Sequence, residues 1–162
     1  LISGVTNHAV NKQIAVAATN MSIILRSIWL YALDARIAEH GSELLYFLST
    51  GPHLAESKRP RHSILSAFEN YRTKQYGVDA VVDITIHLII IHIKHVFVIR
   101  HTCDTLCNII NIGRGRDITS HSRFSELQSE LRNAAEFHSR TDDVVRRVVS
   151  LFGLLRSEAL KV

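Results

Sequence analysis

The sequence has few of the residues that interrupt regular secondary structure. Only two prolines and seven glycines occur in 162 residues, whereas a β sandwich needs a turn about every ten residues. This scarcity disfavours a many-turned β fold and favours long helices. An apolar fraction of 46% and a charged fraction of 21% are ordinary for a globular protein, so a disordered or low-complexity chain is also disfavoured.

Cysteine is scarce as well. Cys103 and Cys107 are the only two thiols, which is too few for the disulfide framework of a small secreted domain. A chain of this length closes one hydrophobic core without such cross-links. We therefore expect a reducing intracellular compartment, or a virion, as the location of the protein.

The two longest apolar stretches both contain charged residues. Ile14 to Leu33 is interrupted by Arg26, and Val81 to Ile99 includes Asp83, Lys94 and three histidines. Inserting a central Asp or Lys into a bilayer costs roughly 2.5 to 3.5 kcal/mol. We therefore do not expect a membrane span, and membrane association through residues 81–99 stays open as an alternative.

Helical periodicity dominates the first part of the chain. Apolar residues recur at three- and four-residue steps from Asn7 to His40, which predicts one long helix. Gly41 follows at the position where a glycine often ends a helix, and Ser42 is placed to cap the next one. A second, short helix is predicted over Glu43 to Ser49, before Pro52.

The segment from Val78 to Arg100 fits two kinds of secondary structure. It is dense in β-branched residues, and Ile84 to Leu88 alternate as a strand would. No other segment supplies a pairing partner for an isolated strand, so a continuous helix is favoured. Further helices are predicted over residues 63–75, over 124–138 with a cap from Ser120 or Ser122, and over 142–155, with a loop at 113–117. The sequence thus predicts an all-α bundle of about five helices in a single domain, residues 1–162.

Positive charge distinguishes this composition. The net charge is +4 with an isoelectric point near 9.3, and 14 of the 19 basic residues are arginines. A guanidinium binds phosphate or carboxylate through two parallel hydrogen bonds, which suits nucleic acid or an acidic partner. The candidate phosphate contacts are Lys58, Arg59, Arg61, Arg72, Lys74, Arg114 and Arg116.

Histidine and cysteine concentrate between residues 87 and 107. Imidazole and thiolate are the usual zinc ligands, and imidazole also binds haem iron. On a helix His92 and His95 share one face, as do Cys103 and Cys107, but the two pairs lie too far apart to hold one ion without a bend. We therefore expect no cofactor. The alternative is a metal or haem site among His87, His92, His95, His101, Cys103 and Cys107.

A short stretch, RNAAEFH, begins at Arg132 and ends at His138. It resembles the short motif of HEPN ribonucleases. The resemblance implies an all-helical, often dimeric and metal-independent enzyme. In such an enzyme Arg132 would stabilise phosphate charge, Asn133 would orient the pair and His138 would perform acid–base chemistry. The resemblance covers seven of 162 residues and makes ribonuclease activity an alternative function.

Motifs of several other enzyme classes are absent from the sequence. It contains no G-x-x-x-x-G-K-[ST] loop, dinucleotide fingerprint, nucleophile elbow or H-E-x-x-H, so enzymatic activity stays an open question. The apolar coverage of the first helix and of Val81 to Ile112 exceeds what a five-helix monomer buries, which predicts homo-oligomers. We therefore expect a self-associating helical structural protein that contacts nucleic acid through its arginines, by analogy with coat or nucleocapsid subunits.

Overall fold

A computed structural model describes residues 21–49 and 78–160 of the chain. These residues form seven α helices and no strand, which confirms the predicted all-α bundle. The helices are α1 (Met21–Leu30), α2 (Ala35–Ser49), α3 (Val78–Ile91), α4 (Val96–Ile109), α5 (Gly115–Thr119), α6 (Phe124–Phe137) and α7 (Asp142–Ala159). Some predictions concern residues outside the described part of the chain: residues 7–20 of the first helix, the helix over 63–75, and the phosphate contacts Lys58, Arg59, Arg61, Arg72 and Lys74.

Helix α4 lies at the centre of the bundle. It contacts α2, α3 and α7, while α6 packs on α3 and α7. Ile99, Cys103 and Leu106 form a fully buried stripe along α4 at three- and four-residue steps. Burying a large aliphatic side chain contributes about 1.5 to 3 kcal/mol, so this stripe is a main source of the packing that places α2 and α7 around α4.

Helices α1 and α2 form a hairpin, which corrects the predicted single helix from Asn7 to His40. The chain turns at residues 31–34, where the Asp34 carboxylate accepts hydrogen bonds from the amides of Arg36 (2.9 Å) and Ile37 (3.2 Å). Asp34 therefore caps the start of α2. The hydrogen bonds from the Ile37 and Arg36 amides also hold the pKa of the Asp34 carboxyl below its usual value.

Gly41 has a different role from the predicted helix end. It lies inside α2, where Ile28 of α1 packs so closely that a Cβ on Gly41 would lie 3.0 Å from Ile28 Cγ1. Ser42, predicted as a cap, also lies within α2 and donates its hydroxyl to the Glu39 carbonyl at 2.8 Å. Gly41 thus permits the close approach of α1 and α2 instead of ending a helix.

The predicted continuous helix over 78–100 is divided by a turn at residues 92–95. His92 Nε2 donates a hydrogen bond to the Ala32 carbonyl at 2.6 Å, and His138 Nε2 donates one to the Ile93 carbonyl at 2.7 Å. Side chains and carbonyls distant in sequence therefore fix a turn that contains no glycine or proline. The division leaves α3 and α4 with 14 residues each, and no helix in the described part of the chain is long and apolar enough to cross a membrane.

The predicted loop around Gly113 is only partly a loop. Gly113 has a φ of +84°, a left-handed conformation that glycine adopts without strain, and it kinks the wide helical turn Ile110–Arg114 that follows α4. Residues 115–117 of the predicted loop are helical, because α5 begins at Gly115. Neither Ser120 nor Ser122 caps α6, which begins without a side-chain cap.

Candidate functional site

Exposed apolar side chains concentrate on the α1–α2 hairpin. Of the eleven large apolar side chains exposed in the described residues, seven belong to α1, α2 or their turn. Ile23 and Leu30 are seven residues apart, so they lie on the same side of α1. Leu33 in the turn is 83% exposed, the largest fraction of the eleven. We call Ile23, Leu30, Tyr31, Leu33 and Ile37 the hairpin face.

An open groove of about 600 Å³ runs between α1 and α2. Ile23, Ile24 and Ile28 of α1 line it from one side, and Ile37 and Leu44 of α2 line it from the other. Its polar lining consists of Ser27, Asp34, Arg36 and His40. Apolar walls with polar groups of both signs are typical of a surface that another protein covers.

The opposite, inner side of the hairpin contacts histidines of α3 and of the turn after it. The ring of His87 stacks on the ring of Trp29, with centroids 4.2 Å apart and planes inclined by 21°. His92 holds the turn of the hairpin through its hydrogen bond to the Ala32 carbonyl. These two contacts attach α1 and its turn to α3.

Two further histidines attach α2 to α4. His95 Nε2 lies 3.6 Å from a carboxylate oxygen of Glu39, and the ring of His101 stacks on the ring of Tyr46 with centroids 5.9 Å apart. All four histidines that the sequence singled out in α3, α4 and their turn therefore face the hairpin. We call these residues the histidine seam: His87, His92, His95 and His101, with Trp29, Ala32, Glu39 and Tyr46.

Burial opposes protonation at both ends of the histidine seam. Burial lowers the pKa of His87, and the positive charges of Arg123 and His92 lower it further. Burial also lowers the pKa of His101, where it outweighs the opposite effect of the Glu43 carboxylate. Burial therefore favours the neutral form of both stacked rings.

The candidate metal ligands are not brought together. His92 and His95 face the hairpin, whereas Cys103 is fully buried in the core. Across residues 21–49 and 78–160, no group of three or more His, Cys, Asp or Glu side chains is arranged to hold a metal ion. Burial raises the pKa of the Cys103 thiol far above its usual range and that of Cys107 to about 11, which disfavours the thiolates that zinc binds.

The placement of the two cysteines predicts slow thiol chemistry. With a pKa of about 11, against a usual 9.0, Cys107 is a thiolate about a hundredfold less often at neutral pH. Cys103 has no accessible surface. We expect Ellman's reagent to label both thiols of the native protein at least about a hundredfold more slowly than those of the chain unfolded in guanidinium. Rapid labelling of either native thiol would contradict this placement.

Several arginines of the described helices pair with carboxylates of neighbouring helices. Arg147 of α7 contacts Asp104 of α4 and lies 3.3 Å from an oxygen of Asp143 on its own helix. Arg100 of α4 lies 2.8 Å from the other oxygen of Asp143. These groups are partly exposed, so each pair contributes roughly 0 to 1 kcal/mol. The network links α4 to α7, and both arginines are paired with carboxylates of the same chain.

Arg114, a predicted phosphate contact, is also paired. Its guanidinium forms a salt bridge with Asp117 on α5, and Arg116 is exposed on the same short helix. The described residues include 12 basic and 13 acidic residues, so they have no positive excess. Residues 50–77 include five basic and two acidic residues. The net positive charge of the chain therefore lies outside the described helices.

The residues that resemble a HEPN motif each contact a different neighbour. His138 follows α6, is 5% exposed and donates its Nε2 hydrogen to the Ile93 carbonyl. The Arg132 guanidinium lies 5.8 Å from the centroid of the Phe152 ring, and Asn133 is exposed on α6. These contacts do not join Arg132 to His138, and ribonuclease activity stays a prediction of the resemblance.

One residue of the sequence indicated the turn of the hairpin, although the apolar periodicity around it obscured this signal. Asp34 is a preferred residue type for the start of a helix, and it stands in the middle of the stretch predicted as one helix. Asp34 caps the start of α2, and the turn that precedes this helix leaves Leu33 exposed to solvent. The partners of the histidine seam, such as Trp29 and Tyr46, carry no local signal because they follow from how the hairpin docks.

Comparison with known proteins supplies no relative from which a function could be transferred. No protein-family model matches the chain, and neither a curated protein nor a solved structure matches it significantly. The function is therefore inferred from the residues and their geometry.

Proposed function

We propose that the chain is a self-associating helical structural protein whose copies pair through the hairpin face. The observation that supports this most directly is that five of the eleven exposed large apolar side chains of the described residues form this face. Exposing apolar surface to water costs about 25 cal/mol per Å². A concentrated apolar surface on a folded domain therefore marks an interaction site.

A second copy of this chain is the occupant that suits the face. The groove beside it is lined by a carboxylate, Asp34, and a guanidinium, Arg36, two residues apart. A two-fold axis through the face would bring the Asp34 of one copy near the Arg36 of the other, so the rim is complementary to itself. The apolar centre would then pack against an identical apolar centre, as in homodimer interfaces.

Trp29 provides a test of this pairing. It is the only tryptophan in the chain, it adjoins Leu30 of the face, and it is 43% exposed. We expect its emission maximum to move to longer wavelength as the protein is diluted from about 100 µM to about 0.1 µM, because a copy seated on Leu30 would also cover part of the exposed surface of this neighbouring ring, and dissociation would return that part to water. An emission maximum that does not change, together with the mass of a single chain at every concentration, would rule out pairing through the hairpin.

We further propose that the assembled protein contacts nucleic acid through its basic segment. Residues 50–77 include five basic and two acidic residues, whereas the described helices are close to neutral. A neutral helical body joined to a basic segment suits a protein that packs against its own copies and attracts phosphates with another part. We call Lys58, Arg59 and Arg61, the most closely spaced basic residues of the segment, the basic triplet.

Replacing the basic triplet by alanine should weaken binding to a single-stranded oligonucleotide. We expect the slope of log affinity against log salt, measured by fluorescence anisotropy, to fall by about two. The matched control replaces Arg114 and Arg116, where Asp117 already pairs with Arg114, and we expect its slope to fall by less than about one. A slope that the triplet variant leaves unchanged would show that the segment makes no phosphate contacts.

A further inference from the structure

A second row of accessible apolar side chains lies on α7, apart from the hairpin face. Val149 and Leu160 are 62% and 76% exposed, and Phe152 between them is half-buried. With Arg156 these residues follow one another at steps of three or four, so all four side chains lie on one side of the helix. This side of α7 is distinct from the side that packs into the core.

Arg132 of α6 borders the row. Its guanidinium lies 5.8 Å from the centroid of the Phe152 ring, and its side chain is exposed. Gly153 is exposed as well, and no atom of the described residues lies within 4 Å of the place that a Cβ would take on it. The surface is therefore open beside Phe152. We call these residues the α7 face: Arg132, Val149, Phe152, Gly153, Arg156 and Leu160.

The charge of the α7 face is positive. Arg132 and Arg156 form no salt bridge with any of the residues 21–49 and 78–160. From Val149 to Leu160 the only acidic residue is Glu158, which is 8% exposed and packs against Gly115 of α5. The one carboxylate of this stretch is therefore buried under another helix, whereas both guanidinium groups are exposed.

Exposed carboxylates border the α7 face at one end. Glu136 of α6 and Asp142 of α7 lie near the turn between these helices, which also includes the exposed Arg140. Beyond the other end of α7 the sequence continues with Lys161. The face is therefore most positive around Arg156, away from the turn.

We propose that the α7 face binds the surface of an anionic lipid bilayer. Val149 and Leu160 leave water when they enter the boundary between headgroups and acyl chains, whereas a nucleic-acid backbone offers such aliphatic side chains little. Guanidinium groups on long aliphatic stems reach the lipid phosphates beside them. The contact is with the bilayer surface, because no described helix is long and apolar enough to cross a membrane.

A second copy of the chain suits the α7 face less well than a bilayer does. A two-fold contact would bring Arg132 and Arg156 of one copy near the same arginines of the other, and the face includes no carboxylate to offset their repulsion. The hairpin face differs, because the groove beside it is lined by Asp34 and Arg36, which have opposite charges. Lipid binding through the α7 face therefore does not depend on the proposed pairing or on nucleic acid.

Co-sedimentation of the full wild-type chain with vesicles tests the proposal. One set of vesicles mixes phosphatidylcholine with phosphatidylserine, and the other contains phosphatidylcholine alone. Each basic residue near an anionic surface strengthens binding about fivefold, so we expect at least about tenfold stronger binding to the anionic vesicles. This binding should weaken as salt is added. No binding to the anionic vesicles, or equal binding to both sets, would overturn the proposal.

Substitutions on the α7 face locate the contact. Arg132→Gln combined with Arg156→Gln should weaken binding to the anionic vesicles at least about tenfold. Leu160→Glu should weaken it to a similar extent, because it replaces an apolar contact by a charge that the lipids repel. Both variants change exposed side chains and should keep the wild-type circular dichroism at 222 nm.

The matched control is Arg114→Gln combined with Arg116→Gln. It changes the net charge as much as the double substitution on the face does, but both residues lie outside the α7 face. We expect it to weaken vesicle binding by less than about threefold. Wild-type binding by both face variants would contradict the proposal. So would a control that loses as much binding as they do.

A single-stranded oligonucleotide distinguishes lipid from nucleic acid as the partner of the α7 face. We expect both face variants to keep the wild-type affinity for the oligonucleotide within about threefold, because the phosphate contacts are proposed for the basic triplet. If the face variants lost oligonucleotide affinity as strongly as vesicle binding, or lost oligonucleotide affinity alone, the α7 face would not be a lipid-binding surface.

Discussion

Replacing Leu30 and Leu33 together by glutamate should leave the chain folded and weaken its self-association at least about a hundredfold, which corresponds to about 2.7 kcal/mol. Both side chains are largely exposed, at 61% and 83%, so the substitutions remove little from the core. In a two-fold interface they place four carboxylates in apolar surroundings, where like charges repel and lose their hydration. Light scattering coupled to size-exclusion chromatography should show wild-type oligomers and a monomeric variant.

The matched control for this experiment is Val149→Glu. Val149 is 62% exposed, so it resembles Leu30 in exposure, but it lies on α7 and not on the hairpin. We expect Val149→Glu to keep the wild-type oligomeric state. If the variant with both hairpin leucines replaced remained as associated as the wild type, the hairpin face could not be the interface. Loss of association in both variants would point to charge in general instead of to one surface.

His138→Ala should destabilise the folded chain by about 3 kcal/mol. The substitution leaves the Ile93 carbonyl without the hydrogen bond that it accepts from His138 at 2.7 Å, in a partly buried position, and a buried acceptor that loses its partner costs at most about 1 to 3 kcal/mol. Removing a side chain that is only 5% exposed also removes packing. Because this contact fixes the turn between α3 and α4, we expect a lower midpoint of guanidinium unfolding with an unchanged slope.

Asn133→Ala is the matched control for His138→Ala, because Asn133 lies on the same helix, is exposed and makes one hydrogen bond of 3.3 Å to Glu130. It should change the free energy of unfolding by less than about 0.5 kcal/mol. The ribonuclease alternative predicts a different result. It requires His138→Ala to abolish RNA cleavage while stability stays at the wild-type value, and that outcome would contradict the structural role of His138.

The fold class was predictable because the signal for it is local. Apolar residues that recur at steps of three and four lie on one side of a helix. In α4 and α7 the residues of this pattern face the core, where Leu106 and Leu151 are fully buried. Few glycines and prolines left the alternative of a many-turned β fold without support. The β-branched segment at 78–100 also became helical, because tertiary packing outweighs β propensity there.

The breaks between helices were less predictable than the helices. At residues 31–34 the signal was a single aspartate within an otherwise continuous apolar pattern. At residues 92–95 the turn depends on hydrogen bonds to Ala32, 60 residues away, and from His138, 45 residues from Ile93. No local pattern encodes partners at that distance, so a continuous helix was the natural prediction.

The same reason limited prediction of the site. The sequence singled out the histidines of α3 and α4 as candidate metal ligands, because a sequence shows the side-chain types and imidazole is a usual metal ligand. Their actual partners, such as Trp29 and Tyr46, belong to the hairpin and are defined only by docking. Arg114 was predicted to contact phosphate, and the sequence did not show that its guanidinium forms a salt bridge with Asp117.

Sedimentation equilibrium of the wild-type chain near neutral pH tests self-association most directly. We expect the weight-average mass to rise with concentration between about 1 and about 100 µM, from the 18.3 kDa of one chain towards twice that value or more. The Leu30→Glu, Leu33→Glu variant should remain at the mass of one chain over the same range. A wild-type mass of one chain at every concentration would contradict the proposal that copies of this protein pair through the hairpin face.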